Sequence, residues 1–205
     1  MPTEDIKSFL KPYLPSKSLD YCAKLWHRHP FHFKITKKRK TKLGDYRYHK
    51  FHKSHTITVN GDLNIYHFLV TYLHEVAHLL VRLQYDGREQ PHGVQWKRTF
   101  QKLMNPVLNE SVFPRDILIP LQKHMANPRA TTYTDLRLTS AFRNYDTTQQ
   151  PVLFLLDVPV GGRFEIDGRG FEKLKNNRTR AVCKDLKNGK KYLVPKMAEI
   201  RWLDK

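Results

Sequence analysis

Residues 74 to 78 read H-E-V-A-H. On a helix, positions i and i+4 share a face about one turn apart, so His74 and His78 can aim imidazole nitrogens at one ion. Glu75 then stands beside the ion without ligating it. From there a carboxylate can take a proton from an attacking water and hand it to a leaving amine. Imidazoles in this arrangement suit Zn2+, whose catalytic sites keep three protein ligands and one open position. A third donor is therefore needed, and His92 is the expected one. It follows the polar turn Q-Y-D-G-R-E-Q-P and opens the next helical pattern, with Gly93 beside it to permit close backbone approach. Asp86 and Glu89 lie in that turn as weaker alternatives without an apolar anchor. Tyr46, Tyr48 and Tyr72 are candidates for an electrophilic role.

The elements that must hold these groups are legible as patterns. Asn60-Gly61-Asp62 signals a turn, and Asn64 can cap a helix whose stripe is Ile65, Phe68, Leu69, Tyr72, Leu73, Val76, Leu79 and Leu80. A second helix is predicted from about His92 through Trp96, Phe100 and Leu103 to the stop at Asn105-Pro106, and a third over 114–125. Before the motif, an amphipathic helix is expected around 18–26, followed by three strand-like runs at 31–36, 43–48 and 56–60 that suggest an antiparallel meander. After it, 127–150 is polar and has little periodicity apart from Leu136 to Phe142, so it is assigned as a linker. From 151 the runs V-L-F-L-L-D-V, G-R-F-E-I, G-R-G-F-E-K-L, R-T-R-A-V-C-K-D-L and K-K-Y-L-V alternate with Gly-containing turns, which predicts a small barrel-like all-β unit. The fold class expected is α+β, with domains at 1–126 and 151–205 joined by the linker at 127–150.

Composition bounds the setting. The chain has 205 residues, 37 Lys and Arg against 19 Asp and Glu, and a formal net charge of +18. A surface so positive attracts polyanions, of which nucleic acid is the commonest inside a cell. Cys22 and Cys183 stand alone, so neither a disulfide framework nor a Cys-type zinc ribbon can be built, and a reducing compartment fits. The N-terminal residues lack the basic start and apolar run of a signal peptide, and no apolar stretch approaches the length of a membrane span. The expected location is cytoplasmic, with no membrane partner and no obligate protein partner evident.

Charge is densest over residues 34–53, where Lys34, Lys37, Lys38, Arg39, Lys40, Lys42, Arg47, Lys50 and Lys53 face one acid, Asp45. Tyr46, Tyr48 and Phe51 are interleaved. Lys37, Lys38, Arg39, Lys40, Lys42 and Arg47 are the candidate nucleic-acid contacts, with the aromatics available to stack on unpaired bases. A solvated hairpin with its tyrosines on the core face is the plainer reading. His27, His29 and His32, and likewise His49, His52 and His55, are read as surface residues, because alternate strand positions point to opposite faces and the neighbours are cationic.

The segment I-T-V-N-G-D-L-N-I-Y-H-F-L-V-T-Y-L-H-E-V-A-H-L-L, followed by P-H-G-V-Q-W-K-R-T-F-Q-K-L-M, resembles the SprT-like zinc metallopeptidase family over roughly residues 18–125. Its distinctive parts are the strand ending in Asn60, H-E-x-x-H at 74–78 and H-G-x-x-W at 92–96. The resemblance implies a minimal zincin-type fold, zinc on His74, His78 and His92, Glu75 as base, and protein substrates linked to DNA, as for the Spartan proteases. Many members carry a C-terminal Cys-rich zinc ribbon that this chain cannot form. A reading from another class is a nucleic-acid-binding protein whose zinc site is structural or vestigial. Against it, a structural zinc is closed by four ligands, and no fourth ligand follows His92.

Overall fold

The run T-I-T-V-N, with Ile57 and Val59 fully buried, forms the middle strand of the first sheet. It is seen in a computed structural model that describes residues 2–39, 41–132, 135–146 and 153–203. The chain divides into two units, one of residues 1–130 and 140–146, the other of residues 131–139 and 147–205.

In the first unit, helices α1 (Thr3–Leu10) and α2 (Leu19–Arg28) precede strands β1 (His32–Thr36), β2 (Gly44–His49) and β3 (Ser54–Asn60). The strand order is β1-β3-β2, with β1 parallel and β2 antiparallel to β3. The expected meander is thus corrected to a sheet with β3 in the centre. The physical reason is burial: β3 carries the most apolar inward positions, whereas β2, with Asp45, Arg47 and His49, tolerates an edge. Helix α3 (Ile65–Tyr85) crosses the sheet, and Asn64 caps it, its Oδ1 accepting from the backbone N–H groups of Tyr66 at 3.1 Å and His67 at 3.0 Å. Asp86 and Gly87, both in the left-handed region, end it. Helices α4 (Val94–Met104) and α5 (Arg115–Ala126) follow. Among the described residues no helix is long and apolar enough to cross a membrane.

Within the polar segment 127–150, helix α6 (Leu136–Arg143) forms around the apolar exception in that composition. Residues 140–146 pack on the start of α3. The Asn64 amide donates to Phe142 O at 2.8 Å and to Asp146 Oδ1 at 2.7 Å, and the His67 ring lies flat on Phe142 with centroids 4.4 Å apart.

The second unit holds strands β4 (Leu153–Phe154), β5 (Arg163–Ile166), β6 (Arg169–Asn176), β7 (Arg180–Asp185), β8 (Lys191–Pro195) and β9 (Glu199–Trp202). They form one sheet in the order β4-β9-β5-β6-β7-β8. Asp167 and Gly168, both with positive φ, make the tight β5–β6 turn that the D-G pair signals. Two details depart from the sequence pattern. The V-L-F-L-L-D-V run gives only a two-residue strand before a 3-10 turn over Leu155–Asp157. β9, four residues of alternating polarity, was too short to stand out, yet it pairs with both β4 and β5. The core is Leu155, Val158, Phe164, Phe171, Ala181 and Cys183.

Burial pushes the His67 imidazole down to about 4. The neutral form is favoured in the folded chain, so its contribution is complete above the ordinary value of 6.5 and is lost as pH falls from there toward 4. In the metal-free full chain, His67→Gln should lose about 2 kcal/mol less stability than wild type between pH 7 and pH 5. Urea denaturation at the two pH values measures this, and equal losses would show that His67 does not carry the linkage.

Candidate metal centre

His74 and His78 come from adjacent turns of α3, whose opposite face fills the core with Phe68, Leu69, Leu73 and Val76. His92 arrives from the turn before α4 with φ at 60°, a left-handed conformation in which histidine is enriched among non-glycine residues. Gly93 N–H donates to Gln90 O at 3.0 Å and starts α4, so the backbone is folded back just where His92 must project. Trp96, almost fully buried, underlies all three rings, with centroids 4.6 Å from His74, 5.4 Å from His78 and 4.7 Å from His92. Its indole N–H points at His74 O at 3.4 Å. Phe100 backs His74 from the next turn of α4.

The three Nε2 atoms form a nearly equilateral triangle with sides of 3.1, 3.2 and 3.0 Å. A neutral imidazole presents either a proton or a lone pair at Nε2, so at least two of the three must turn the same group toward each other. Hydrogen bonds alone leave that triangle unsatisfied, and a cation that accepts three lone pairs resolves it. Nitrogens ~2.0–2.1 Å from a tetrahedral zinc stand ~3.3 Å apart, close to the observed sides. Burial also favours the unprotonated form of each ring. It lowers His78 to about 4 and His74 well below the ordinary imidazole value, in both cases helped by neighbouring histidines, and it lowers His92. Among the described residues, His74, His78 and His92 are the group of side chains able to hold a metal ion.

Glu75 is only 6 % exposed. Burial, reinforced by the charge of Asp45, raises its carboxyl to about 8, against the opposing pull of Arg39, Lys42 and the Tyr46 backbone N–H. The carboxyl lies against the first residue of β2. A Cβ on Gly44 would stand 2.8 Å from Glu75 Cγ, 2.9 Å from its Cδ and closer still to Oε1. Gly44 therefore has to be glycine for the strand to pass so near the carboxylate, although its φ is ordinary. The sequence analysis missed it because a lone glycine at a strand start carries no signal of what it approaches.

Two further residues place that strand. Asn60, buried at the end of β3, accepts from Arg39 Nε at 2.7 Å and Thr36 Oγ1 at 3.0 Å, and donates to Lys42 O at 3.1 Å. Arg39 also reaches Thr58 Oγ1 and Leu43 O. The candidate nucleic-acid contacts consequently separate. Arg39 braces the connection into β2, and Lys42 and Arg47 both pair with Asp45. Lys37 and Lys38 are exposed, and Lys40 lies outside the described residues.

The tyrosines separate too. Tyr72 is buried in the core with its hydroxyl donating to Cys22 O. Tyr46 lies parallel to the His78 ring at 6.3 Å, with its hydroxyl 2.9 Å from His55 Nδ1, while Tyr48 is covered by the Arg82 guanidinium.

His92→Ala removes one corner of the triangle and should reduce bound zinc from one equivalent per chain to a small fraction after dialysis. Elemental analysis reads this, and unaltered stoichiometry would reassign the third ligand. The family model described as SprT-like family matches residues 17–115, a span that contains the sheet, α3, the His74–His78–His92 triangle and α4. No curated protein and no solved structure matches the chain. On that match and that geometry, residues 17–115 are a SprT-like domain.

Proposed function

We propose that the chain is a zinc-dependent metallopeptidase acting on proteins associated with, or crosslinked to, DNA. The observation that carries the peptidase part is the Glu75 carboxyl, buried on the residue next to one of three imidazoles whose Nε2 atoms converge. Burial raises that carboxyl, which makes its carboxylate a stronger base. Bound by His74, His78 and His92, zinc would supply Lewis acidity toward water and the scissile carbonyl. Glu75 holds and moves the proton, from the attacking water to the departing amine. The Tyr46 N–H, bonded to that carboxylate, and the close pass of Gly44 fix its position. Trp96 and Phe100 keep water from the back of the site.

The DNA part rests on charge and on the β2–β3 hairpin. With Tyr46 and Tyr48 turned toward His55 and Arg82, Phe51 is the aromatic left in the open, 92 % exposed, between Lys50 and Lys53. A bare ring among cations suits stacking on an unpaired base.

Glu75→Gln should retain zinc and abolish cleavage of a basic protein with or without single-stranded DNA. If zinc-loaded wild type also fails to cut, the peptidase reading falls. Gly44→Ala should likewise retain zinc while lowering kcat on the order of 10²-fold, because the added methyl displaces the carboxyl; undiminished turnover would show that the close pass is unimportant. Phe51→Ala should weaken binding of an oligothymidylate by about 1–3 kcal/mol and leave duplex binding little changed, read by fluorescence anisotropy. Lys37→Ala with Lys38→Ala should flatten the salt dependence for both, and an unchanged slope would remove these lysines from the interface.

A further inference from the structure

The second unit has two unlike faces. Inward on β6 and β7 point Phe171, Lys173, Ala181, Cys183 and Asp185, all buried. The strand registers place the alternate set outward in rows: Glu172, Lys184 and Lys191; Lys175, Val182 and Leu193; then Arg180 and Pro195. Four cations thus share this outer face with one acid, Glu172. The adjoining turns add Arg178 between β6 and β7, and Lys187 and Lys190 between β7 and β8. None of these seven cations forms an ion pair among the described residues, whereas Arg169 and Arg201, exposed elsewhere in the unit, are paired with Asp185 and Glu165.

Lys184 and Lys191 sit directly opposite each other in the β7–β8 pair. Like charges at such a position are destabilising, and although Glu172 faces Lys184 from β6, Lys191 lies on the edge strand β8 with no described acid directly across from it. We infer that this outer face of β6–β7–β8 is a second binding site, for the phosphate backbone of a nucleic-acid duplex, engaged by Lys175, Arg180, Lys184 and Lys191 and flanked by the cations of the two turns. The inference is independent of the peptidase reading.

The chemistry of the face selects the ligand. A phosphodiester chain presents the repeated, closely spaced negative charge that a cluster of unpaired Lys and Arg neutralises with release of counterions. Outward strand positions carry no Asn, Gln or Ser to read base edges, and the contacts inferred for the lysines and Arg180 are to phosphates, which carry no sequence information, so binding is indifferent to sequence. The apolar centre is only Val182 and Leu193, without the Trp or Phe that inserts a surface into lipid. An exposed aromatic of the unit, Tyr192, pairs with Cys183 on the other register and lies against Phe171 and Arg169, so it offers the outer face no stacking platform.

The test uses the full chain and a fluorescein-labelled 20-base-pair duplex, with anisotropy followed from 50 to 300 mM salt. The triple substitution Arg180→Ala, Lys184→Ala and Lys191→Ala should weaken binding at least tenfold at 50 mM and make the salt slope shallower by about 2 to 3. A control of equal charge change, with Lys11→Ala and Lys17→Ala between α1 and α2 and Lys24→Ala on α2, should weaken it less than threefold. A second duplex of unrelated sequence should bind like the first. Wild-type affinity and slope in the first triple variant, or equal losses in both triples, overturn the proposal. So does loss of binding to phosphatidylserine vesicles with duplex affinity intact, which would assign the face to a membrane. Cleavage of a DNA-free basic protein should be unchanged in the first triple variant. If wild type does not cleave at all, the peptidase reading fails while the duplex result stands on its own.

Discussion

The passage of β2 over α3 at Gly44 and Glu75 is the contact on which the rest of the first unit depends. A carboxyl cannot be buried beside three imidazoles unless something polar meets it, because an unpartnered buried charge is costly. The backbone of an edge strand supplies what is needed at little volume: no side chain at Gly44 and a free N–H at Tyr46. Everything that leads into β2 serves this approach. Asn60 closes β3 and holds Lys42 O, and Arg39 ties Asn60, Thr58 and Leu43 together, so the connection enters β2 at one height relative to α3. Putting β3 rather than β2 in the centre of the sheet follows from the same demand, since only an edge strand has N–H groups to spare.

Desolvation has opposite effects on the two kinds of group in the site, and both effects are useful. It lowers the imidazoles, keeping lone pairs available as ligands, and it raises the carboxyl, which strengthens it as a base. Trp96 contributes to both by filling the space behind all three rings. Nine lysines and arginines meanwhile crowd one stretch of twenty residues, 34–53, and those among the described residues are exposed or half-buried. Of that cluster, the members nearest the site are the ones already paired with Asp45 or braced to Asn60.

The second unit solves a different problem, that of closing a core in fewer than seventy residues. Lys173 lies on the inner face, buried, with its ammonium donating to Leu155 O at 2.8 Å and Val158 O at 2.5 Å. A cation with a flexible stem thus ties the 3-10 turn at 155–157 to the middle of the sheet, while the apolar stem packs beside Cys183. Burial lowers its ordinary affinity for a proton, which measures the desolvation that those carbonyls offset. With the inner face so occupied, the unpaired cations are confined to the outer one.

H-E-V-A-H determined that two imidazoles share a helix face with a carboxyl beside them, because helical periodicity is local. The Asn64 cap, the Asp86-Gly87 stop and the Asp167-Gly168 turn were legible for the same reason, and His92 was reached from the polar turn before it. Strand order was not, since pairing joins residues far apart in sequence, and which of three runs becomes central depends on what each buries. Gly44, Asn60 and Arg39 were invisible as parts of the site: a lone glycine, a turn residue and one cation in a basic stretch acquire meaning only when β2 and α3 meet. The same holds for Phe51, whose exposure emerged only once Tyr46 and Tyr48 had found His55 and Arg82. Local spacing decides which groups can act, and long-range packing decides which of them are held, buried or left facing water.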